Sequence, residues 1–180
     1  MPDIIHVHGK DFVPYLSGEE IIEKVKELAE LINREYEGKK PLFISILNGS
    51  FMFSADLFKF ITIDAEICFI KLASYKGTRS SGQIITAIGL DTDLKDRDII
   101  IVEDIIDTGK TLHQFLPQVF NQQPYSLKIA VLLHKPQATV YPVQIDYACF
   151  TIPDKFVVGY GLDYNGLGRN FSALYQLKEV

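Results

Sequence analysis

Residues 99–111 read Ile-Ile-Ile-Val-Glu-Asp-Ile-Ile-Asp-Thr-Gly-Lys-Thr. A buried-type apolar run ends in two acids, Glu103 and Asp104, and is followed by a polar turn, Asp107 to Thr111. That turn stands between a strand pattern and a helix pattern. Backbone amides at the start of a helix point outward with partial positive charge, which suits a phosphate. Gly109 permits close approach, and the hydroxyls of Thr108 and Thr111 can donate to phosphate oxygens. Carboxylates repel a bare phosphate, but they suit sugar hydroxyls or a Mg²⁺ ion. The stretch therefore asks for a ligand with a phosphate on one side and a diol, free or metal-bound, on the other. A ribose 5-phosphate fits that description.

Other phosphate motifs are excluded residue by residue. An ATP-type P-loop needs a glycine five positions before Gly-Lys-Thr, where this chain has Asp104. The stretch Gly159 to Gly166 has Gly159 and Gly161 but Tyr164 where a dinucleotide fingerprint needs its third glycine. The acids from Asp91 to Asp96 lack the glycine of a calcium loop and read as a solvated turn.

The elements that must position these residues follow from periodicity. Ser17 and Glu20 form a capping-box pattern ahead of Ile21, Ile22, Val25, Leu28, Ala29, Ile32 and Tyr36, and Gly38 can stop that helix. Leu42 to Leu47 reads as a buried strand and Phe51 to Phe60 as a helix. Ala65 to Leu72 and Ile84 to Leu90 read as strands around a long hairpin loop, 74–83. Ile99 to Val102 is the most apolar strand, Thr111 to Gln122 a helix, and Leu127 to Leu133 another buried strand. Weaker strand signals lie at 145–150 and 156–159. Apolar runs that alternate with helices predict an α/β fold, a parallel-sheet core with helices on both faces. Ligands in such sheets sit beyond the carboxyl ends of the strands, which places Asn48-Gly49, Glu103 to Thr111 and His134-Lys135 on one rim.

The chain has 180 residues, close to one common domain size, so a single domain over 1–180 is expected. Its formal net charge of −5 and lack of a basic tract argue against a nucleic-acid partner. No run is long and apolar enough for a transmembrane helix. The N-terminus has no basic segment leading into an apolar core, so cytoplasm is the expected location. Cys68 and Cys149 each lie in an apolar stretch and read as reduced, buried thiols.

At this point the residues match a family. Val102 to Leu112 is very similar to the phosphoribosyl-diphosphate signature of type I phosphoribosyltransferases, closest to the hypoxanthine-guanine branch. Ile46 to Leu57 resembles that branch's diphosphate-binding loop and following helix. Leu72 to Gln83 resembles its mobile loop, Leu132 to Pro136 carries its purine-contacting lysine, and Ile152 to Asn170 closely matches its base-binding segment. Five segments in the right order cover nearly the whole chain.

The resemblance implies a small hood subdomain made from the chain ends and a long flexible loop beside the core. It implies transfer of 5-phosphoribosyl from its 1-diphosphate to hypoxanthine, with guanine as a second base, in purine salvage. Glu103 and Asp104 should hold the ribose hydroxyls, directly or around Mg²⁺. Asp107 should act as general base and, with Thr108, Gly109, Lys110 and Thr111, line the phosphate site. Leu47, Asn48, Gly49 and Arg169 should take the diphosphate. Lys135 should donate to the 6-oxo group, Phe156 should stack on the purine, and the Val157 backbone should read its opposite edge. Asp163 should serve the purine site and a second Mg²⁺, while Ser74 and Tyr75 should close over the reacting centre. A homodimer or homotetramer is implied. Relatives commonly carry Lys or Arg where this chain has Asn48, and a cis peptide bond at Leu47–Asn48. A preference for xanthine, and a nucleotide-sensing regulator on the same fold, are the alternatives. Lys135 precedes Pro136, which favours an extended backbone and predicts an outward-projecting side chain.

Overall fold

A computed structural model describes residues 3–74, 84–88 and 90–178. Its larger sheet has six strands in the order β5-β4-β3-β6-β7-β8. These are β3 (Leu42–Leu47), β4 (Glu66–Ser74), β5 (Ile84–Ile88), β6 (Asp98–Ile106), β7 (Ser126–His134) and β8 (Tyr147–Thr151). Five run parallel, and only β5 is antiparallel, forming a hairpin with β4. The loop expected at 74–83 falls, apart from Ser74, outside the described residues, and Tyr75 with it.

Helices cover both faces, as the unbroken apolar strands require. On one face α1 (Gly18–Glu35) and α2 (Phe51–Lys59) bury Ile21, Val25, Ile32, Phe53 and Leu57 against Phe43, Ile100, Val102 and Leu132. On the other, α3 (Lys110–Phe120) buries Leu112, Phe115 and Val119 against Ile44, Ile99, Ile101 and Val131. The alternation of even and odd strand positions between these two cores is the period of two that a pleated strand imposes. The capping box forms: the Glu20 amide donates to the Ser17 hydroxyl, and the Ser17 amide donates to the Glu20 carboxylate. Below the sheet, Lys128 and the Tyr147 hydroxyl both donate to Glu35, tying the end of α1 to β7 and β8.

A second sheet, β1-β2-β10-β9, is built from the two ends of the chain. It joins β1 (Ile5–Val7), β2 (Lys10–Leu16), β9 (Val157–Val158) and β10 (Leu174–Leu177), all antiparallel. This is the hood, and it places the 156–169 segment over the carboxyl end of the larger sheet.

Three expectations change. β6 does not stop at Val102 but continues to Ile106, because Glu103, Ile105 and Ile106 pair with Val131, Leu133 and His134 of β7. The acids therefore sit within a strand. Lys135 does not project outward: it is buried, as described below. The cysteines are free but half-buried. Burial still pushes both thiols up, that of Cys149 to about 12, so both are protonated at neutral pH. Among the described residues no helix is long and apolar enough to cross a membrane.

Candidate active site

The extension of β6 decides the geometry. Near its carboxyl end, Glu103 lines one cavity and Asp104 lines another. The first cavity, about 220 Å³, is walled by Glu103, Ile105, Ile106 and every residue from Asp107 to Leu112. Gly109 is left-handed at φ 76° and caps α3 with no side-chain bond. The amide-bearing backbone of 109–112 thus borders the cavity at a helix N-terminus, the arrangement that takes an anion. Gly109 has a second constraint: a Cβ there would meet the Tyr141 carbonyl at 2.2 Å.

The second cavity, about 210 Å³, is walled by Asp104, Ile105, Asp107, Lys135, Phe156, Val157, Leu162 and Asp163. Ile105 and Asp107 belong to both cavities, so the two open on either side of one short piece of chain. A larger hollow of about 780 Å³ lies elsewhere, between α1, α2 and the 171–175 segment, and contains none of these residues.

Lys135 reaches the second cavity from the end of β7, where its amide donates to the Ile106 carbonyl. Its side chain is 6% exposed, and Nζ lies 3.4 Å from both Asp107 Oδ2 and Asp154 Oδ1. Two carboxylates thus hold the ammonium inward, against the outward projection expected of it. Phe156, 46% exposed, presents its ring beside this group and is backed by Phe12 and Tyr164 at centroid distances of 6.2 and 5.6 Å. Arg169 lines neither cavity. It donates to the Gly161 carbonyl and pairs with Asp163, each at 2.6 Å, and so braces the base-side wall. Asp163 also accepts from the Gly166 amide.

Glu103 and Asp104 form the site's electrostatic strain. Burial, followed by each carboxyl's effect on the other, raises Glu103 well above the ordinary carboxylate range. Burial also raises Asp104, opposed by local backbone hydrogen bonds and by Arg169 nearby. Glu103 Oε2 is buried with no hydrogen-bond partner. Among the described residues no three His, Cys, Asp or Glu side chains converge into a ready-made metal site. An unpartnered buried carboxylate oxygen beside a second acid nevertheless fits a hydroxyl donor or a Mg²⁺ that completes its shell with substrate oxygens and water.

On the neighbouring strand, Leu47, Asn48 and Gly49 turn from β3 into α2 through a cis Leu47–Asn48 peptide bond. A buried serine cluster, unread in the sequence, fixes this turn. Ser45 Oγ lies 2.7 Å from Ser50 Oγ and 2.6 Å from Ser54 Oγ, and Ser50 donates to the Ile46 carbonyl. Thr139 was equally silent. Its hydroxyl is 3.2 Å from the Asp107 carbonyl and 3.1 Å from that of Lys135, while the amides of Val140 and Tyr141 donate to the Thr108 carbonyl. A threonine in a polar loop gives no sequence signal for such a role. Ser74 ends β4, paired with Ile84.

Comparison with known proteins gives the family and the fold. The phosphoribosyl transferase domain model matches residues 14–165. The hypoxanthine-guanine phosphoribosyltransferase of Lactococcus lactis subsp. lactis is 48% identical over 164 residues, 91% of this chain and 89% of that protein. That of Streptococcus mutans is 44% identical, with 91% of each chain covered. Among solved structures, a hypoxanthine phosphoribosyltransferase from Staphylococcus aureus superposes with a TM-score of 0.87 at 36% identity, covering 98% of this chain and 92% of that one. A hypoxanthine-guanine phosphoribosyltransferase from Bacillus anthracis gives 0.84 at 38% identity, covering 92% and 97%. With a cradle at a helix start, two acids beside it and a lysine-and-phenylalanine pocket across one aspartate, the chain belongs to the phosphoribosyl transferase family.

Proposed function

We propose that this protein transfers the 5-phosphoribosyl group from 5-phosphoribosyl 1-diphosphate to hypoxanthine and guanine, giving IMP and GMP with release of diphosphate. The observation that carries the reading is the pair of cavities meeting at Ile105 and Asp107. One suits a phosphate and the other a flat base with an acceptor for Lys135, and the reacting carbon of the ribose belongs between them.

In this reading the 5′-phosphate lies in the cradle of Thr108, Gly109, Lys110 and Thr111, and the ribose diol faces Glu103 and Asp104. Phe156 stacks on the purine, Lys135 donates to its 6-oxo group, and the Val157 backbone reads the opposite edge. Asp107, beside the base and the ribose at once, takes the proton that the purine nitrogen loses as the glycosidic bond forms. The Asn48-Gly49 turn and Arg169 face the diphosphate, Arg169 through the wall it shares with Asp163. Glu103 and Asp104 would hold one Mg²⁺ and Asp163 a second. The metal's chemistry is to neutralise charge on the departing diphosphate.

The full chain acts as one domain, in the cytoplasm, as a homodimer or homotetramer, with small-molecule substrates and no nucleic acid. A panel of hypoxanthine, guanine, xanthine, adenine and uracil with phosphoribosyl diphosphate and Mg²⁺, followed by monophosphate formation, tests the proposal. Turnover is expected with hypoxanthine and guanine. No product from either sinks it.

A further inference from the structure

Within the function proposed above, we infer that Asp154 is a specificity-determining residue, which discriminates against anionic oxopurines by cancelling the charge of Lys135. Among the described residues that wall the base cavity, Lys135 is the only cation, and it is buried. Its ammonium has three donors. One faces Asp107 Oδ2 and one faces Asp154 Oδ1, each at 3.4 Å, which leaves the third for a ligand acceptor.

Among the described residues that wall this cavity, the other charged side chains are all negative. Asp104 and Asp107 come from β6 and its end, Asp154 from the turn before β9, and Asp163 from the segment after it. The nearby cation, Arg169, is engaged by Asp163 and the Gly161 carbonyl. The cavity therefore offers a hydrogen-bond donor without a net positive field. A neutral purine with an oxo acceptor and a ring N–H suits it. Xanthine, whose ring N–H dissociates to a substantial extent near neutral pH, brings a negative charge toward Asp107, Asp154 and Asp163 and finds the lysine already neutralised.

Asp154 is suited to this role because it stands outside the cavity wall. Its side chain is 62% exposed and touches the site through Lys135. Changing it alters the field and not the shape.

The test uses the full-length protein and its Asp154→Asn and Asp154→Glu variants with phosphoribosyl diphosphate and Mg²⁺. Values of kcat/KM are measured for hypoxanthine and guanine. Xanthine is measured both as substrate and as competitive inhibitor against hypoxanthine, so that its relative affinity is defined even where turnover is slow. Asp154→Asn should raise the preference for xanthine relative to hypoxanthine by roughly three- to tenfold, a modest change because the partner is exposed and screened. The gain should be larger at pH 8.5 than at pH 6.5, and Asp154→Glu should restore the original ratio. A ratio that is unchanged, because all bases are affected alike, or that is lowered overturns the assignment and leaves Asp154 as a structural partner of Lys135. If the unmodified protein turns over none of the oxopurines, the proposed function itself fails, and this inference with it.

Discussion

Gly49 lies so close to Asp104 that a Cβ on it would come within 1.6 Å of Asp104 Oδ2. The turn after β3 and the acid of β6 thus share a space that only a hydrogen side chain leaves open. The fit extends one layer further, since a Cβ on Gly161, at φ 98°, would meet the Gly49 carbonyl at 2.0 Å. Three segments far apart in sequence, 47–49, 103–104 and 159–163, are thereby stacked without slack.

Gly49→Ala should consequently push the Asp104 carboxyl or the 47–49 turn out of place. A displacement near 1 Å at reacting groups costs about 10²-fold in rate. Steady-state kinetics should show kcat/KM for phosphoribosyl diphosphate reduced by about that factor, with a far-ultraviolet circular dichroism spectrum like that of the unmodified protein. Activity within fivefold of the original would mean the close approach has no part in function.

Much of this arrangement was legible in the chain, and the parts that were not share a cause. Apolar runs set by local pattern, such as Leu42 to Leu47, located the core strands, and the Ser17–Glu20 spacing located the start of α1. The length of β6 was not legible, because Glu103 and Asp104 look like a strand terminus. Their backbone is held in the sheet by β7, a partner that single-strand pattern cannot reveal. The inward turn of Lys135 depends on Asp107 and Asp154, which lie 28 and 19 residues away. The hood's N-terminal strands went unread as well. Ile5 and Val7 do alternate with exposed residues, but β1 is only three residues long, and Pro14 argues against a strand at β2. Residues that wall a cavity were legible where chemistry and spacing coincide, as in Asp107 to Thr111. Others were missed where a common side chain acts through position alone, as with Ser45 and Thr139.

Thr139→Val tests one of those silent positions. The hydroxyl lies between the Asp107 and Lys135 carbonyls and shares its one proton between them, which links the phosphate turn to the base-side lysine. Loss of one hydrogen bond costs about 1 kcal/mol. For a chain of this size that is a fall in Tm of about 2–4 °C. The KM values for both substrates should rise together, since the link joins both sites, and Thr139→Ser should recover them. A rise confined to one substrate would show that the two sites are not coupled through this residue.

Tyr160→Phe should act on stability and not on chemistry. The phenol is buried, donates to Asp56 Oδ2 at 2.6 Å, and joins α2 to the base-binding segment. Burial, followed by the neighbouring carboxylate, raises its pKa, so it remains a donor throughout the working range of pH. Hydrogen bonds to charged groups contribute about 1.5–3 kcal/mol. Asp56 keeps Lys59 at 2.7 Å and some access to water, which places the loss toward the lower figure. Differential scanning calorimetry should show a fall in Tm of about 3–8 °C. Turnover at 25 °C should stay within twofold.

Asp107→Asn separates proton transfer from binding. Asp107 walls both cavities, and asparagine has nearly the same size, so neither cavity should change shape. Lys135 keeps Asp154 as its remaining carboxylate partner and therefore stays folded into the site. What disappears is the carboxylate able to accept a proton from the purine. A positioned general base contributes typically about 10²- to 10⁴-fold. In the variant kcat for hypoxanthine should fall by at least the lower figure, while calorimetric titration should show base and phosphoribosyl diphosphate binding changed by less than about fivefold. An undiminished kcat would remove the proton-transfer role. A loss of binding as large as the loss of rate would instead make Asp107 a residue that holds the substrates without moving a proton.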